Sequence, residues 1–482
     1  MVWPVPSRRS FGDRDGSGRV VVIGAGWAGM AAAWELLCAK DARGGQARLR
    51  EVWVLERAPH PGGRAFSFRD RSFGLELDNG QHVLLGCCAA MVQLLTALGL
   101  GDAVRFQDLL HIPVYAGGCW ADLSSVRLPG PLHLARTLVR YRHLSRMDRA
   151  RLVGMVRHLT RLDFRRWDHL SFADWLALHR QSDRAVERLW DLVGVAVLNG
   201  HAERVSAALA LTSFRMGVLS GWQAARLGYF TIPLGDVAQG AVQALTRRGA
   251  NVGFHQAVEE IVVESGRVCG VRVRKGMFIP AEAVVAAVPH DALYRLLPSG
   301  WQGHATFSGL ARLSWSPILN VYLLYDRPVF RREVAAYCGG MLQFVFNRGR
   351  LLGNPDLDGR LLSVSLSAAD ALRGIQGDEI VRQVDQELRQ AHPREMADVR
   401  LLHAFPVWQP RATFLAAPGT WGLRPSPVSP IAGLFLAGDW TDTGWPACLE
   451  GAVRSGQAAA RSLLRWRGSA PESAGQDGAA HP

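Results

Sequence analysis

The chain has 482 residues, 48% of them apolar, which is enough for two or three domain-sized cores. Its formal charge is +13, and of its 55 basic residues only Lys40 and Lys275 are lysines. No uninterrupted apolar run reaches about 18 residues, the N-terminal stretch lacks the apolar centre of a secretory leader, and seven scattered cysteines form no C-x-x-C pair. The expectation is a cytoplasmic protein with reduced thiols, no transmembrane helix and no metal centre.

In chain order, residues 1–18 are rich in Pro, Gly, Ser and Arg and are predicted to be disordered. A β-branched strand over residues 20–23 then leads into Gly24, Gly26 and Gly29, followed by an Ala-rich helical stretch over residues 30–37. The G-x-G-x-x-G spacing at a strand-to-helix turn lets backbone N–H groups approach a pyrophosphate. A second strand over residues 51–56 (EVWVLE) ends in Glu56, placed to bond the ribose hydroxyls of a dinucleotide. Glu56 lies 27 residues beyond Gly29, against a usual offset of about 20, and the polar stretch 41–48 accounts for the excess as a loop. Pro61-Gly62-Gly63-Arg64 is a second glycine turn that carries a cation, which a pyridine nucleotide does not require and a longer cofactor does.

From residue 101 to about residue 230 the pattern reads as helical. Residues 131–170 hold Arg136, Arg140, Arg142, Arg146, Arg149, Arg151, Arg157, Arg161, Arg165 and Arg166 interleaved with apolar residues at spacings of three and four. This predicts one or two amphipathic helices whose Arg-rich face is either solvated or set on anionic lipid; no nucleic-acid motif accompanies the charge, so no nucleic-acid partner is expected. A helix is predicted over residues 233–248, then strands over 257–263, 268–274 and 283–288, the first two joined by a turn at Gly266. Strand-like runs recur at 318–326 and 361–369. Near the far end, LFLAGD (434–439) is a buried-type strand ending in Gly438-Asp439, and EGAVRSG (450–456) opens a small-residue helix. An Asp at a strand end can bond a ribityl hydroxyl while a helix N-terminus faces a flavin ring, so the combined motifs point to FAD. The layout is discontinuous: residues 19–100, 233–300 and 426–467 form an FAD-binding domain, residues 101–232 and 301–425 a substrate domain, and residues 468–482 a flexible tail.

Three stretches, IGAGWAGMAAA (23–33), LDNGQHVLLG (77–86) and AGDWTDTGWPACLEGAVRSG (437–456), resemble those of the FAD-dependent amine oxidase and phytoene desaturase superfamily. DNGQH and GDWTDTGWP are most similar to its hydroxysqualene dehydroxylase branch, and the resemblance spans residues 19–467. It implies an α/β fold: a Rossmann-type, glutathione-reductase-like FAD domain with a discontinuous α+β substrate domain. It also implies that Val258 lines the adenosine pocket through its backbone, and that Asn79, Gly80 and Gln81 lie near the flavin with Gly438, Asp439, Gly451 and Ala452.

A flavin moves hydride or electrons while the protein fixes the substrate and places charge. Superfamily amine oxidases often rely on a lysine near the flavin and an aromatic pair; here neither lysine lies in a flavin motif, and Ala447-Cys448-Leu449 stands before Glu450-Gly451. A polyprenyl substrate suits the 16 Trp against 7 Tyr better. Candidate walls are Trp222, Tyr229, Phe230, Trp315, Phe344, Phe346 and Trp408, with Trp445. In the dehydroxylase reading a general acid protonates an allylic hydroxyl and reduced flavin, recharged by an unidentified electron donor, delivers hydride to the resulting cation. His82 and Asp78 are the candidate acids, with Asp442 and Trp445 as second choices. The alternatives are a carotenoid desaturase or isomerase, a prenyl-binding escort-type protein and a flavin amine oxidase.

Overall fold

The computed structural model describes residues 18–39, 51–71, 73–159 and 163–469. The expected N-terminal extension (1–17), the loop at 41–48, Lys40, Arg161 and the tail beyond residue 469 lie outside the described residues.

The nucleotide-binding sheet consists of five strands in the order Asn251–Gly253, Glu51–Leu55, Arg19–Ile23, Ala283–Ala286 and Leu434–Leu436, all parallel. A parallel sheet needs cover on both faces, and Val20, Val21 and Val22 are all fully buried. Alternation sends Val20, Val22, Val52, Val54 and Val285 to one face, against the helices Trp27–Cys38, Leu234–Arg247 and Leu449–Ser469. It sends Val21, Ile23 and Val284 to the other, against Ile261 and Val271 of an antiparallel sheet formed by Val258–Glu264, Arg267–Val273 and Phe278–Pro280. The hairpin turn falls at Ser265 and Gly266, both at positive φ, as the twist of the strands favours.

A second, seven-stranded sheet runs Leu401–Phe414, Trp315–Tyr325, Leu361–Ser367, Phe344–Asn347, Val334–Cys338, His111–Ala116 and Cys119–Ser124. One face, with Leu319, Val321 and Val364, packs on Ile380, Val384 and Leu388 of the helix Gly377–Ala391. The opposite face carries Phe346 towards the helical region. The chain is therefore α/β with a Rossmann-type nucleotide sheet and an α+β second sheet.

The helical reading from residue 101 onward misses four strands: Val104–Phe106, His111–Ala116, Cys119–Ser124 and Leu227–Phe230. The hairpin signal was present, since Gly117-Gly118 sits between two alternating runs and both glycines adopt positive φ, 56° and 78°. The basic region forms two α-helices, Ala135–Arg140 and Arg146–Leu159, flanked by the short 3-10 turns Gly130–Leu134 and Arg165–Trp167. Two π-helical turns, Val186–Asp191 and Phe214–Leu219, interrupt the α-helical segments beside them. Among the described residues no helix is long and apolar enough to cross a membrane.

Burial lowers the pKa of five histidines, His82, His133, His143, His290 and His392, the last to about 4. Unfolding returns each to about 6.5, so the unfolded chain binds more protons below that pH. Their contribution to stability is intact above about pH 6.5 and is lost as pH falls through the depressed folded values. Thermal melting followed by circular dichroism should give a midpoint that falls steadily from pH 7 towards 4. A flat profile over that range would contradict these burial effects.

Candidate cofactor and active site

Two glycine turns meet at the carboxyl end of the parallel sheet. The Gly24 N–H donates to Leu55 O at 2.8 Å, and Gly24 takes φ +101° where a Cβ would lie 2.5 Å from Ala287 O. A Cβ on Gly29 would come within 1.9 Å of Gly24 O, so only glycine lets the helix Trp27–Cys38 leave the strand this tightly. Gly26 forms a parallel bridge with Gly62, and the Gly62 N–H donates to Ala25 O at 2.9 Å. The second turn, including Gly63, is thereby stitched to the first. The helix begins with no acidic residue in its first turn and no side-chain cap, leaving its N–H groups for an anion.

Glu56 follows the second strand and is 8% exposed. Its Oε2 accepts from Ala25 N and its Oε1 from Ala58 N, both at 2.8 Å. Each oxygen keeps a further acceptor position for a ribose hydroxyl. Val258 opens the strand beside this region and pairs with Val273.

Arg64 closes the site from the other side. Its Nη2 donates to Asp439 Oδ1 at 2.6 Å, its Nη1 donates to Ala412 O at 3.0 Å, and its guanidinium lies 5.6 Å from the Trp315 ring. Trp315 stacks on His290 with centroids 4.4 Å apart. Gly438 donates to Ser455 Oγ at 2.8 Å, which ties the Gly-Asp loop to the helix Leu449–Ser469. Gly451 and Ala452 lie in the first turn of that helix, and Gly451 N–H donates to Cys448 Sγ at 3.3 Å.

Three residues that organise the site were not singled out from the sequence. Buried Arg424 donates through Nη2 to the carbonyls of Asp439, Thr441 and Trp445 at 3.1, 2.6 and 2.7 Å. Burial lowers its pKa to about 10, which still leaves it a cation. Fully buried Glu450 accepts from Ala90 N and Met91 N at 3.0 and 2.8 Å, capping the helix Ala89–Ala97, and from Arg454 Nε at 2.7 Å. Arg348 pairs with Asp78 across 270 residues. A charge buried without solvent requires a partner, but the sequence does not say which one.

The structure places the DNGQH residues as follows. Asp78 Oδ1 accepts from Ser67 Oγ and Leu234 N, and its Oδ2 accepts from Arg348 Nη2 at 2.5 Å; Arg348 and Asp78 are each 2% exposed. These three donors fix both carboxyl oxygens of Asp78 at the base of the loop. Asn79 donates to Arg64 O at 2.9 Å and accepts from Phe66 N at 3.0 Å, so its amide shapes the loop that carries Arg64. His82 Nδ1 contacts Gly80 O at 3.0 Å; a carbonyl can only accept, so Nδ1 carries the proton and Nε2 is the free nitrogen. Burial lowers the His82 pKa, opposed by the Gly80 bond and Asp78 and assisted by Arg64 and Arg348. His82 as a whole is half-buried.

Of the candidate walls, Tyr229, Phe344 and Phe346 do come together: Tyr229 and Phe346 meet edge-on at 6.5 Å, and the two phenylalanines stack at 6.2 Å. Buried Tyr229 also pairs with Val83, next to His82. Phe230 turns towards the helices behind the nucleotide sheet, and Trp408 lies on the far face of the large sheet. Trp222 is half-buried, with Arg127 and Arg226 each 5.7 Å from its ring. Trp445 lies under Arg454. Asp442 is occupied by Arg165 and by the Trp421 indole N–H.

Gln81 Oε1, Trp27 Nε1, His290 Nε2 and Arg424 Nη1 are buried polar atoms without a partner among the described residues. Trp27 opens the helix at the first glycine turn, Arg424 holds the Asp439 loop, and His290 stacks on Trp315 beside Arg64. Together with the anion-ready helix and Glu56 they suit a long dinucleotide bearing a polar ring, as FAD does.

Comparison with known proteins agrees. The flavin-containing amine oxidoreductase family matches residues 27–464. A hydroxysqualene dehydroxylase of Sinorhizobium fredii is 29% identical over 92% of this chain and 98% of its own length. A zeta-carotene desaturase of Zea mays is 26% identical over 91% of this chain and 82% of its own. The fold is shared with cyclohexylamine oxidase of Brevibacterium oxydans, at a TM-score of 0.68 and 18% identity over 93% of this chain and 98% of that one. The chain belongs to the flavin-containing amine oxidoreductase family and is an FAD-dependent oxidoreductase.

Proposed function

We propose that the protein reductively dehydroxylates hydroxysqualene to squalene. The observation that carries this reading is His82, with its Nδ1 fixed and its Nε2 free at the head of the apolar strand Val83–Leu85. That strand pairs with Leu227–Phe230, setting Tyr229 opposite Val83, and the Tyr229 ring meets Phe346. A single proton-transfer group set among aromatic and aliphatic walls suits a hydrocarbon with one hydroxyl. The identity to a hydroxysqualene dehydroxylase along nearly the whole of both chains supports the same reading.

In the reaction an allylic C–O bond breaks, the oxygen leaves as water after taking a proton, and hydride forms a new C–H bond. Bound reduced FAD supplies the hydride. Protonated His82 donates from Nε2 to the leaving hydroxyl while Gly80 O keeps the ring oriented. Burial that weakens its hold on the proton makes the imidazolium a stronger acid. Asp78, fixed by Arg348, is a positioning residue that holds the loop from below.

Carotenoid desaturation is the second reading, supported by the identity to zeta-carotene desaturase. An amine oxidase reading has less support, since the one described lysine, Lys275, lies in an exposed turn. Anaerobic incubation with hydroxysqualene under reducing conditions should yield squalene, and turnover should fall as pH rises above the His82 pKa. His82→Gln should keep the flavin spectrum and lose turnover by about 100-fold or more. Squalene formation at the wild-type rate by that variant would remove His82 from the role. Conversion of phytoene by oxidised protein, with none of hydroxysqualene, would select the desaturase reading.

A further inference from the structure

We propose that residues 127–153, together with residues 218–226, form a docking face for an anionic lipid bilayer. Among the described residues thirteen large apolar side chains are exposed, and five of them fall in this one short stretch: Leu128 at 43%, Leu132 at 60%, Val139 at 70%, Met147 at 60% and Val153 at 48%. Such a concentration is not random scatter. Exposed Arg127, Arg136, Arg140, Arg142, Arg146 and Arg151 are interspersed with them. The one acid between Leu123 and Asp163, Asp148, is 4% exposed and is held by Ser145 and Ser182. No acid occurs between Arg204 and Gly235.

The short pieces are tied into one surface. Arg149 donates to Val139 O and Tyr141 O at 2.9 and 2.8 Å, joining Arg146–Leu159 to the end of Ala135–Arg140. His133 Nε2 lies 2.7 Å from Val218 O, and Pro129 bridges Gly221. Trp222 thus reaches the same face, with Arg127 and Arg226 against its ring, as an aromatic anchor sits at a membrane interface.

Three occupants suit exposed arginines, and the apolar side chains choose among them. A second copy of the chain would set one uncompensated cationic face against another. Nucleic acid would engage the guanidinium groups and leave five apolar side chains in water. An anionic bilayer meets both needs, with phosphates at the arginines and the acyl boundary at Leu132, Val139 and Met147.

The face also adjoins the reacting centre. Val218 lines a narrow apolar cavity with Val193, Val197, Phe214 and Leu85, and Leu85 ends the strand that follows His82. The cavity is about 10 Å³ in this state, so a substrate drawn from the bilayer would have to part these apolar side chains on its way towards the strand Val83–Leu85. This route rests on the polyprenyl reading above, whereas the docking itself does not.

The test is co-sedimentation of the FAD-loaded protein with phosphatidylcholine vesicles made with and without phosphatidylglycerol. The protein should sediment with the anionic vesicles, less so at high salt. Arg136→Glu/Arg140→Glu and Val139→Asp/Met147→Asp should each weaken binding by about tenfold or more. All four positions are exposed, so the flavin spectrum and melting midpoint should stay unchanged, which separates lost docking from lost folding. Equal binding to both vesicle types, undiminished binding in both variants, or retention on DNA without vesicle binding would each overturn the docking face. Turnover of hydroxysqualene from vesicles should fall in the variants while turnover from detergent micelles stays at the wild-type level. Vesicle binding without squalene formation from either source would leave the docking face standing and refute the reaction instead.

Discussion

Arg348→Met is expected to destabilise the protein by about 3–5 kcal/mol, because it strands the Asp78 carboxylate in a site from which water is excluded. Asp78 would keep Ser67 Oγ and the Leu234 N–H as donors but lose the one charged partner it has among the described residues. The damage should spread through Asn79, whose amide shapes the Arg64 loop, so flavin retention should fall along with stability. Adding Asp78→Asn to Arg348→Met removes the uncompensated charge and should recover part of the loss, a coupling that a double-mutant cycle in urea would measure. The outcome that would sink this account is a normal urea midpoint with turnover abolished. Asp78 would then be the proton donor after all, and the pair a catalytic device rather than an anchor.

Arg424→Leu should have an effect of similar size by another route. One guanidinium nitrogen holds three carbonyls of the loop 439–445, and hydrogen bonds to a charged group contribute about 1.5–3 kcal/mol each. The loop carries Asp439, so the expected result is FAD affinity about 100-fold weaker, together with a lowered melting midpoint. Arg424→Lys should rescue little, since a single ammonium cannot reproduce the planar fork. Titration of apo-protein followed by flavin fluorescence checks this directly, and affinity within about twofold of the wild type would rule it out.

What the sequence made legible follows from how local the physics is. Gly24, Gly29 and Gly62 could be read because backbone sterics at a tight turn exclude every other residue, and Glu56 because it closes an apolar strand. The hairpin at Gly117-Gly118 was equally local, but the helical periodicity downstream obscured it. Arg348 and Arg424 were not legible: each is one arginine among many until the fold shows which buried acceptors it meets. The same limit explains Trp222. Aromatic content predicts apolar walls, yet which face of an element a ring occupies is settled by packing, and this ring lies between two surface arginines.

The crossing of the first and last helices sets a timetable for the molecule. Gly456 packs so closely that a Cβ there would lie 2.0 Å from Ala28 O, within the helix Trp27–Cys38. The strand Leu434–Leu436 forms an edge of the nucleotide sheet, and Asp439 follows directly after it. During synthesis the Gly24–Gly29 turn is thus made more than four hundred residues before the parts that complete its site. FAD capture at this turn is therefore a late event, one that waits for residues 434–456 rather than guiding the early chain.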